Sequence, residues 1–251
     1  WTLSRGLGDV YKRQIQTVLS DKSVIDNHAI DTSFKRGARR GPEMSKLIDI
    51  NETTTIGFHR LAINGLNANS DQPIVQDGIY LICNGEIYNY KELYKLMPGS
   101  IPSTDSDCEV IIHLYKRYGI EQTLNMIDGV FAFIIIDTRI NVDENTSPGH
   151  RIFVARDPYG VRPLYILKPD NGVSGNNYDK GMTNTYGFAS EMKSLISCKH
   201  ILQHASISQF QPGTYSRFMC YVSPLITNSL WKPIDKLSLI HISEPTRQSP
   251  I

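Results

Sequence analysis

The sequence predicts an α+β fold built on antiparallel sheets, and three observations predict it. Short runs rich in β-branched and aromatic residues recur along the chain, each bounded by turn residues. Only a few short helical patterns fall between them, so the chain does not alternate strand and long helix as a parallel sheet requires. The third is Val130–Asp137, an almost continuous apolar run of the kind found in a strand buried on both faces.

Length and charge narrow the class further. The 251 residues suffice for one domain or two small ones with a sizeable core. A hydrophobic content of 40%, a charged content of 20% and a net charge of +1 describe a globular chain. They give no reason to propose nucleic acid or an anionic membrane as partner. No apolar run approaches the ~18 residues of a membrane helix. The four cysteines, at 83, 108, 198 and 220, lack metal-ligand spacing. Cys83 and Cys108 sit among apolar or helical neighbours, as small core residues do, and a reducing, cytoplasmic setting is expected.

In chain order, 15–36 reads as mixed and weakly helical, and it leads to a loop carrying Arg39, Arg40, Gly41 and Pro42. Thr53–Ile63 reads as a strand with Arg60 near its end. Asn64–Gln72 is a polar loop. Tyr80–Cys83 is a strand that stops at Asn84-Gly85, a turn signal because both residues tolerate positive φ. Tyr90–Met97 is a short helix ended by Pro98-Gly99. Ser106 and Glu109 fit a capping box opening a helix with Val110, Ile111, Leu114 and Tyr115 on its apolar positions. Arg151–Arg156 alternates as a strand before the turn Asp157-Pro158-Tyr159-Gly160. Leu164–Leu167, Tyr186–Ala189 and Gly213–Phe218 complete the strands, Asp170–Asn184 is a loose insertion, and Glu191–Ile196 is a short helix.

Both ends look foreign to this domain. Asp9-Val-Tyr-Lys-Arg-Gln14 can be encoded by DNA whose reverse complement translates as Leu-Ser-Leu-Ile-His-Ile, which is Leu237–Ile242. That inverted repeat resembles a transposase end sequence used in preparing sequencing libraries. Residues 1–14 and 237–251 are therefore expected to be adapter-like tails around a domain spanning 15–236.

Arg40-Gly41-Pro42, Arg60-Leu61, Asn84-Gly85-Glu86-Ile87-Tyr88-Asn89, Ser106-Asp107-Cys108-Glu109 and Arg156-Asp157-Pro158-Tyr159-Gly160-Val161-Arg162-Pro163-Leu164 occur in order. With Ser190-Glu191-Met192-Lys193, this series resembles the class II glutamine amidotransferases. The Asn-Gly-Glu and Ser-Asp-Cys-Glu elements are similar to the glutaminase domain of the asparagine synthetases. The resemblance implies the N-terminal-nucleophile hydrolase fold, a four-layer αββα sandwich of antiparallel sheets. It implies hydrolysis of L-glutamine to glutamate and ammonia, the ammonia serving ATP-dependent asparagine synthesis from aspartate. It implies an oxyanion hole from the Asn84 side chain and the Gly85 N–H, where each such donor is typically worth ~3–4 kcal/mol of barrier. Arg60 would grip the glutamine α-carboxylate through its guanidinium fork. Asp107 and Glu86 would take the α-ammonium, and Ile63 would add backbone contacts.

The same resemblance implies a cysteine nucleophile at residue one of the mature protein, its own α-amine acting as base at a pKa of ~7.7–8.0. No cysteine precedes Cys83. The domain is therefore expected to be truncated at both ends, to lack its first strand, and to be inactive as a fragment. No cofactor is expected within it. ATP and magnesium would belong to a C-terminal synthetase domain of the same chain, and a homodimer is left open. Arg39 and Glu43 stand where the family usually has histidine and aspartate, which leaves the role of that loop open. Two other readings remain: a non-catalytic module of the same fold that binds glutamine or a partner, and the glutaminase domain of an amidophosphoribosyltransferase.

Overall fold

Two six-stranded antiparallel sheets organise the chain in the computed structural model, which describes residues 14–19, 25–61, 70–139, 149–169, 185–202, 205–221 and 232–233. Ile63, both expected tails (Gln14 excepted), most of the loop before His150, and the 170–184 insertion lie outside the described residues. The strands are β1 (Gln14–Leu19), β2 (Met44–Asp49), β3 (Thr54–Arg60), β4 (Ile74–Gln76), β5 (Ile79–Ile87) and β6 (Gly129–Asp137). They continue with β7 (Gly149–Arg156), β8 (Tyr165–Pro169), β9 (Tyr186–Ala189), β10 (Ala205–Gln209), β11 (Thr214–Tyr221) and β12 (Lys232–Pro233). The helices are α1 (Asn27–Lys35), α2 (Tyr90–Lys95), α3 (Val110–Met126) and α4 (Ile196–Ile201). One sheet runs β10-β8-β9-β1-β3-β2 and the other β12-β11-β7-β6-β5-β4.

Strand periodicity sorts the side chains into three apolar layers. Ile15, Ile56 and Phe58 of the first sheet meet Ile82, Ile134 and Val154 of the second, forming the core between the sheets. The outer face of the second sheet, with Leu81, Cys83, Phe131 and Phe133, packs under Leu93 of α2 and Ile111, Leu114 and Leu124 of α3. On the outer face of the first sheet, Val18 and Ala189 pack under Ala29 and Ile30 of α1 and Cys198 of α4. The order is helices, sheet, sheet, helices, which agrees with the expected αββα sandwich. Cys83 and Cys108 are fully buried free thiols, as the sequence predicts.

The expected loss of a first strand leaves no opening in the first sheet among the described residues. β1 lies inside the first sheet, pairing antiparallel with β3 through Gln14↔His59 and with β9 through Gln16↔Ala189. No gap is left between those strands. The segment 15–36 reads as mixed because it joins a strand of period two to a helix of period 3.6. The strand is polar for its position: Gln14, Gln16 and Thr17 are buried, and neither amide atom of Gln16 has a partner among the described residues. Asp26 caps α1 by accepting from the Ala29 N–H at 2.7 Å.

A correction concerns Asn84-Gly85. These residues do not turn; they lie inside β5, with Asn84 opposite Ala132 and Gly85 opposite Phe131 of β6. The tight hairpin lies earlier, at Asp77-Gly78, where φ is 48° and 75°, joining β4 to β5. A side chain at 85 would put its Cβ 2.4 Å from the Val130 carbonyl oxygen, so glycine is required there by close approach of β6. The helix expected over 191–196 resolves into a 3₁₀ turn, Met192–Ser194, followed by α4. α3 is interrupted at Gly119, where φ is 77°.

Candidate functional site

Asn84 and Glu86 share one face of β5, the face toward the other sheet, because they are two residues apart. Asn84 is buried and its Nδ2 donates to Ser190 Oγ at 3.4 Å. Ser190 follows β9, and its Oγ also accepts from the Ile15 N–H at 3.2 Å. The N-terminal end of β1, the Ser190 hydroxyl and the Asn84 carboxamide thus converge. Glu86 is half-buried beside them on its strand.

Asp107 comes to the same strand end from the other direction. It sits on a 3₁₀ turn, Asp107–Glu109, and its Oδ2 accepts from the Ile87 N–H at 2.6 Å. The Cys108 thiol lies 3.8 Å from both the Gly85 carbonyl oxygen and Asp107 Oδ2. Asp107 is 2% exposed, yet its Oδ1 has no hydrogen-bond partner among the described residues. A buried carboxylate oxygen without a donor is costly.

Arg60 ends β3, and its guanidinium pairs with Asp71. Next to Asp71, Ser70 Oγ accepts from the Asp105 N–H at 3.2 Å, two residues before Asp107. The segment at 70–71 therefore links the Arg60 and Asp107 neighbourhoods. The Arg40-Gly41-Pro42 loop is held on the end of β3 as well, through a Pro42–Arg60 bridge and the Glu43 N–H on the Arg60 carbonyl at 3.3 Å. Arg40 Nε pairs with Glu191 at 3.0 Å, beside Ser190. Motifs scattered over about 150 residues of sequence are thus gathered by the ends of β1, β3, β5 and β9. Asp107 reaches the strand of Asn84 and Gly85 at Ile87, with Cys108 between it and the Gly85 carbonyl; Arg60 joins them through intervening residues.

Sequence reasoning missed three residues here. Asp71 fell in a polar loop. Ser190 was part of a motif without a role. Gln72 grips the edge of β5: its Nε2 donates to the Cys83 carbonyl at 3.0 Å and its Oε1 accepts from the Cys83 N–H at 2.5 Å. A side-chain amide there replaces a neighbouring strand just beyond the reach of β4 and fixes the backbone leading into Asn84. A Gln-Pro after a polar loop carries no local signal for that role.

Glu109 departs from the capping-box reading. Ser106 Oγ accepts from the Cys108 N–H at 3.3 Å, and the Glu109 carboxylate turns outward to the 103–104 segment. It accepts from Ser103 N–H at 2.8 Å, Ser103 Oγ at 2.7 Å, Thr104 N–H at 2.7 Å and Thr104 Oγ1 at 2.6 Å. His113 Nε2 adds a contact at 3.2 Å. Burial alone would raise this carboxyl's pKa, but the bonds from His113, Thr104 and Ser103 outweigh it and bring the value down to about 2. Because the folded value lies below the unfolded one, the stabilisation is complete above pH ~4.5 and is lost as pH falls toward 2, up to about 3 kcal/mol. Urea unfolding of wild type and Glu109→Gln should therefore diverge above pH ~4.5 and converge near pH 2. Parallel curves over that range would refute the assignment.

On the other side of Asn84, the Arg156–Leu164 element folds over the end of β7. Asp157 is buried and takes the loop's N–H groups: Tyr159 at 3.1 Å and Val161 at 3.0 Å on Oδ1, Arg162 at 3.1 Å on Oδ2. Arg156 takes carbonyls instead, Arg162 at 2.7 Å, Phe210 at 2.6 Å and Gly160 at 2.6 Å. In register, Arg156 pairs with Ala132 and Ala132 with Asn84, so this loop braces the row that presents the carboxamide.

The arrangement offers an amide donor, a strand edge at Gly85, an unmatched carboxylate oxygen and a nearby guanidinium. Those groups suit a small zwitterion bearing a polarisable carbonyl. No cluster of three or more His, Cys, Asp or Glu among the described residues could hold a metal ion. No helix among them is long and apolar enough to cross a membrane.

A family model described as a glutamine amidotransferase domain matches residues 15–249. A Gallus gallus protein named asparagine synthetase (glutamine-hydrolyzing) is 41% identical over 184 residues, 71% of this chain and 29% of that protein. Proteins of the same name from Bos taurus and Homo sapiens are 38% identical over 184 residues and 35% identical over 183, with the same shares covered. The chain spans 29% of the length of these relatives.

Proposed function

The chain belongs to the glutamine amidotransferase domain family, and from that premise we propose that it binds L-glutamine between Arg60, Asn84, Gly85 and Asp107. The observation that carries this reading is Asp107 Oδ1, buried and without a donor among the described residues, beside the Asn84-Gly85 strand end. A ligand ammonium supplies that donor as a charge-assisted hydrogen bond. Arg60 then takes the α-carboxylate, exchanging all or part of its pairing with Asp71, and Glu86 supports the ammonium. Ile63 is kept as a backbone contact on the strength of the resemblance.

The side-chain carboxamide of the ligand is directed toward Asn84 and Gly85. In a longer protein that supplies a nucleophile next to Gln14, attack on the carboxamide carbon would build negative charge on its oxygen. The Asn84 Nδ2 and the Gly85 N–H are the donors for that charge. Glutamate and ammonia would result, and the similarity to glutamine-hydrolyzing asparagine synthetases points to ATP-dependent asparagine formation as the use of the ammonia. That similarity favours asparagine synthesis over the phosphoribosyl branch. ATP and magnesium are assigned to the part of those relatives that this chain does not span. A cytoplasmic location belongs to the same proposal, with Cys83, Cys108 and Cys198 as buried free thiols.

Isothermal titration of the 251-residue chain with L-glutamine tests the reading, because binding needs no nucleophile. Affinity in the micromolar to millimolar range, with D-glutamine excluded, is expected. No heat change at millimolar L-glutamine would overturn it.

A further inference from the structure

We propose that Glu109 is a positioning residue for ammonium recognition: it holds Asp107 so that one carboxylate oxygen stays on the Ile87 N–H and the other stays turned to the ligand. This rests on the glutamine-binding reading above and names the group that makes it selective. Glu109 itself is fully buried, and its carboxylate points away from Asp107 into the 103–104 segment. It acts through a short relay. The Thr104 hydroxyl donates to Glu109 Oε2, which fixes its direction, and so its oxygen accepts from the Ser106 N–H at 3.1 Å. Ser106 in turn caps the turn that carries Asp107, accepting from the Cys108 N–H. The Glu109 N–H closes the turn on the Ser106 carbonyl at 3.2 Å.

A carboxylate is the one side chain that meets this demand. Both of its oxygens must accept twice from the 103–104 segment, and neither may donate. An amide would set its NH₂ against an N–H and an O–H, pushing Ser103 or Thr104 away. Ser106 would then lose its acceptor, and the turn could rotate Asp107 Oδ1 out of line with the ligand. A cap that served only the helix would need none of the bonds to Ser103 and Thr104.

The test uses the 251-residue chain, L-glutamine, and 4-carbamoylbutanoate, which is glutamine without its α-ammonium. Wild type should prefer glutamine by about tenfold or more, because only glutamine satisfies Asp107. In Glu109→Gln that preference should fall to within about threefold, with affinity for 4-carbamoylbutanoate held within about twofold. A merely structural loss would weaken both ligands together, and that result would overturn the inference. So would a preference unchanged from wild type. If circular dichroism shows Glu109→Gln unfolded, Thr104→Val is read instead: it keeps the N–H and removes the hydroxyl relay. Its preference should drop about threefold, and an unchanged preference would overturn the proposal. Failure of wild type to bind glutamine at all would strike the glutamine reading itself, which separates the two failures.

Discussion

Asp107→Asn should weaken L-glutamine binding by about 50-fold while leaving the folded chain as stable as wild type or more so. Both halves follow from one geometry. Asp107 Oδ2 is committed to the Ile87 N–H, so an asparagine would keep its oxygen there and turn its NH₂ to the place of Oδ1. A donor would then face the ligand ammonium, and the charge-assisted bond would be lost. A factor of 50 corresponds to roughly 2.3 kcal/mol, within the usual range for a hydrogen bond to a charged group. In the ligand-free chain the same change removes a buried carboxylate oxygen that no donor among the described residues satisfies, so nothing stabilising is lost. Titration calorimetry and thermal melts of the same sample decide it. Retained glutamine affinity would mean that Asp107 does not read the ammonium. A large fall in melting temperature would mean that Oδ1 has a partner essential to the fold.

That separation of binding from stability also explains what could be read from the sequence. Motif order was legible because the motifs stand in one order along the chain, and the fold returns them to the ends of neighbouring strands. Strands such as β6 and β9 were legible from composition. Asn84-Gly85 misled because the dipeptide is equally suited to a hairpin turn and to a strand that another backbone approaches closely. Only the position of Val130 on the neighbouring strand distinguishes the two. The capping-box reading of Glu109 failed for a related reason. The spacing between Ser106 and Glu109 is right, but the carboxylate has four better donors in Ser103 and Thr104, and which donors it meets is a tertiary matter. Gln72 and Asp71 were invisible because their partners, Cys83 and Arg60, lie on strands that sequence spacing cannot bring together.

The largest loss of stability is expected from Arg156→Met. Arg156 is 1% exposed, and its guanidinium donates to the carbonyls of Gly160, Arg162 and Phe210. Methionine fills much of the same volume and supplies no donor, so two buried carbonyls and a part-buried one would lose the guanidinium donor. At about 1–3 kcal/mol for each buried group left unsatisfied, with partial relaxation, the cost should be about 4 kcal/mol. That is a large share of the ~5–15 kcal/mol that usually separates folded from unfolded chains. Asp157→Asn should cost less, about 2 kcal/mol, because its amide oxygen can still accept part of the N–H set. The two residues hold opposite halves of one loop's polar backbone, so the double variant should lose less than the sum of the singles. Urea midpoints at constant m-value measure this. Additive losses would show that the loop is two independent anchors. Sub-additive losses would show one unit, and its failure should also loosen the Ala132–Asn84 row, lowering glutamine affinity in any variant that remains folded.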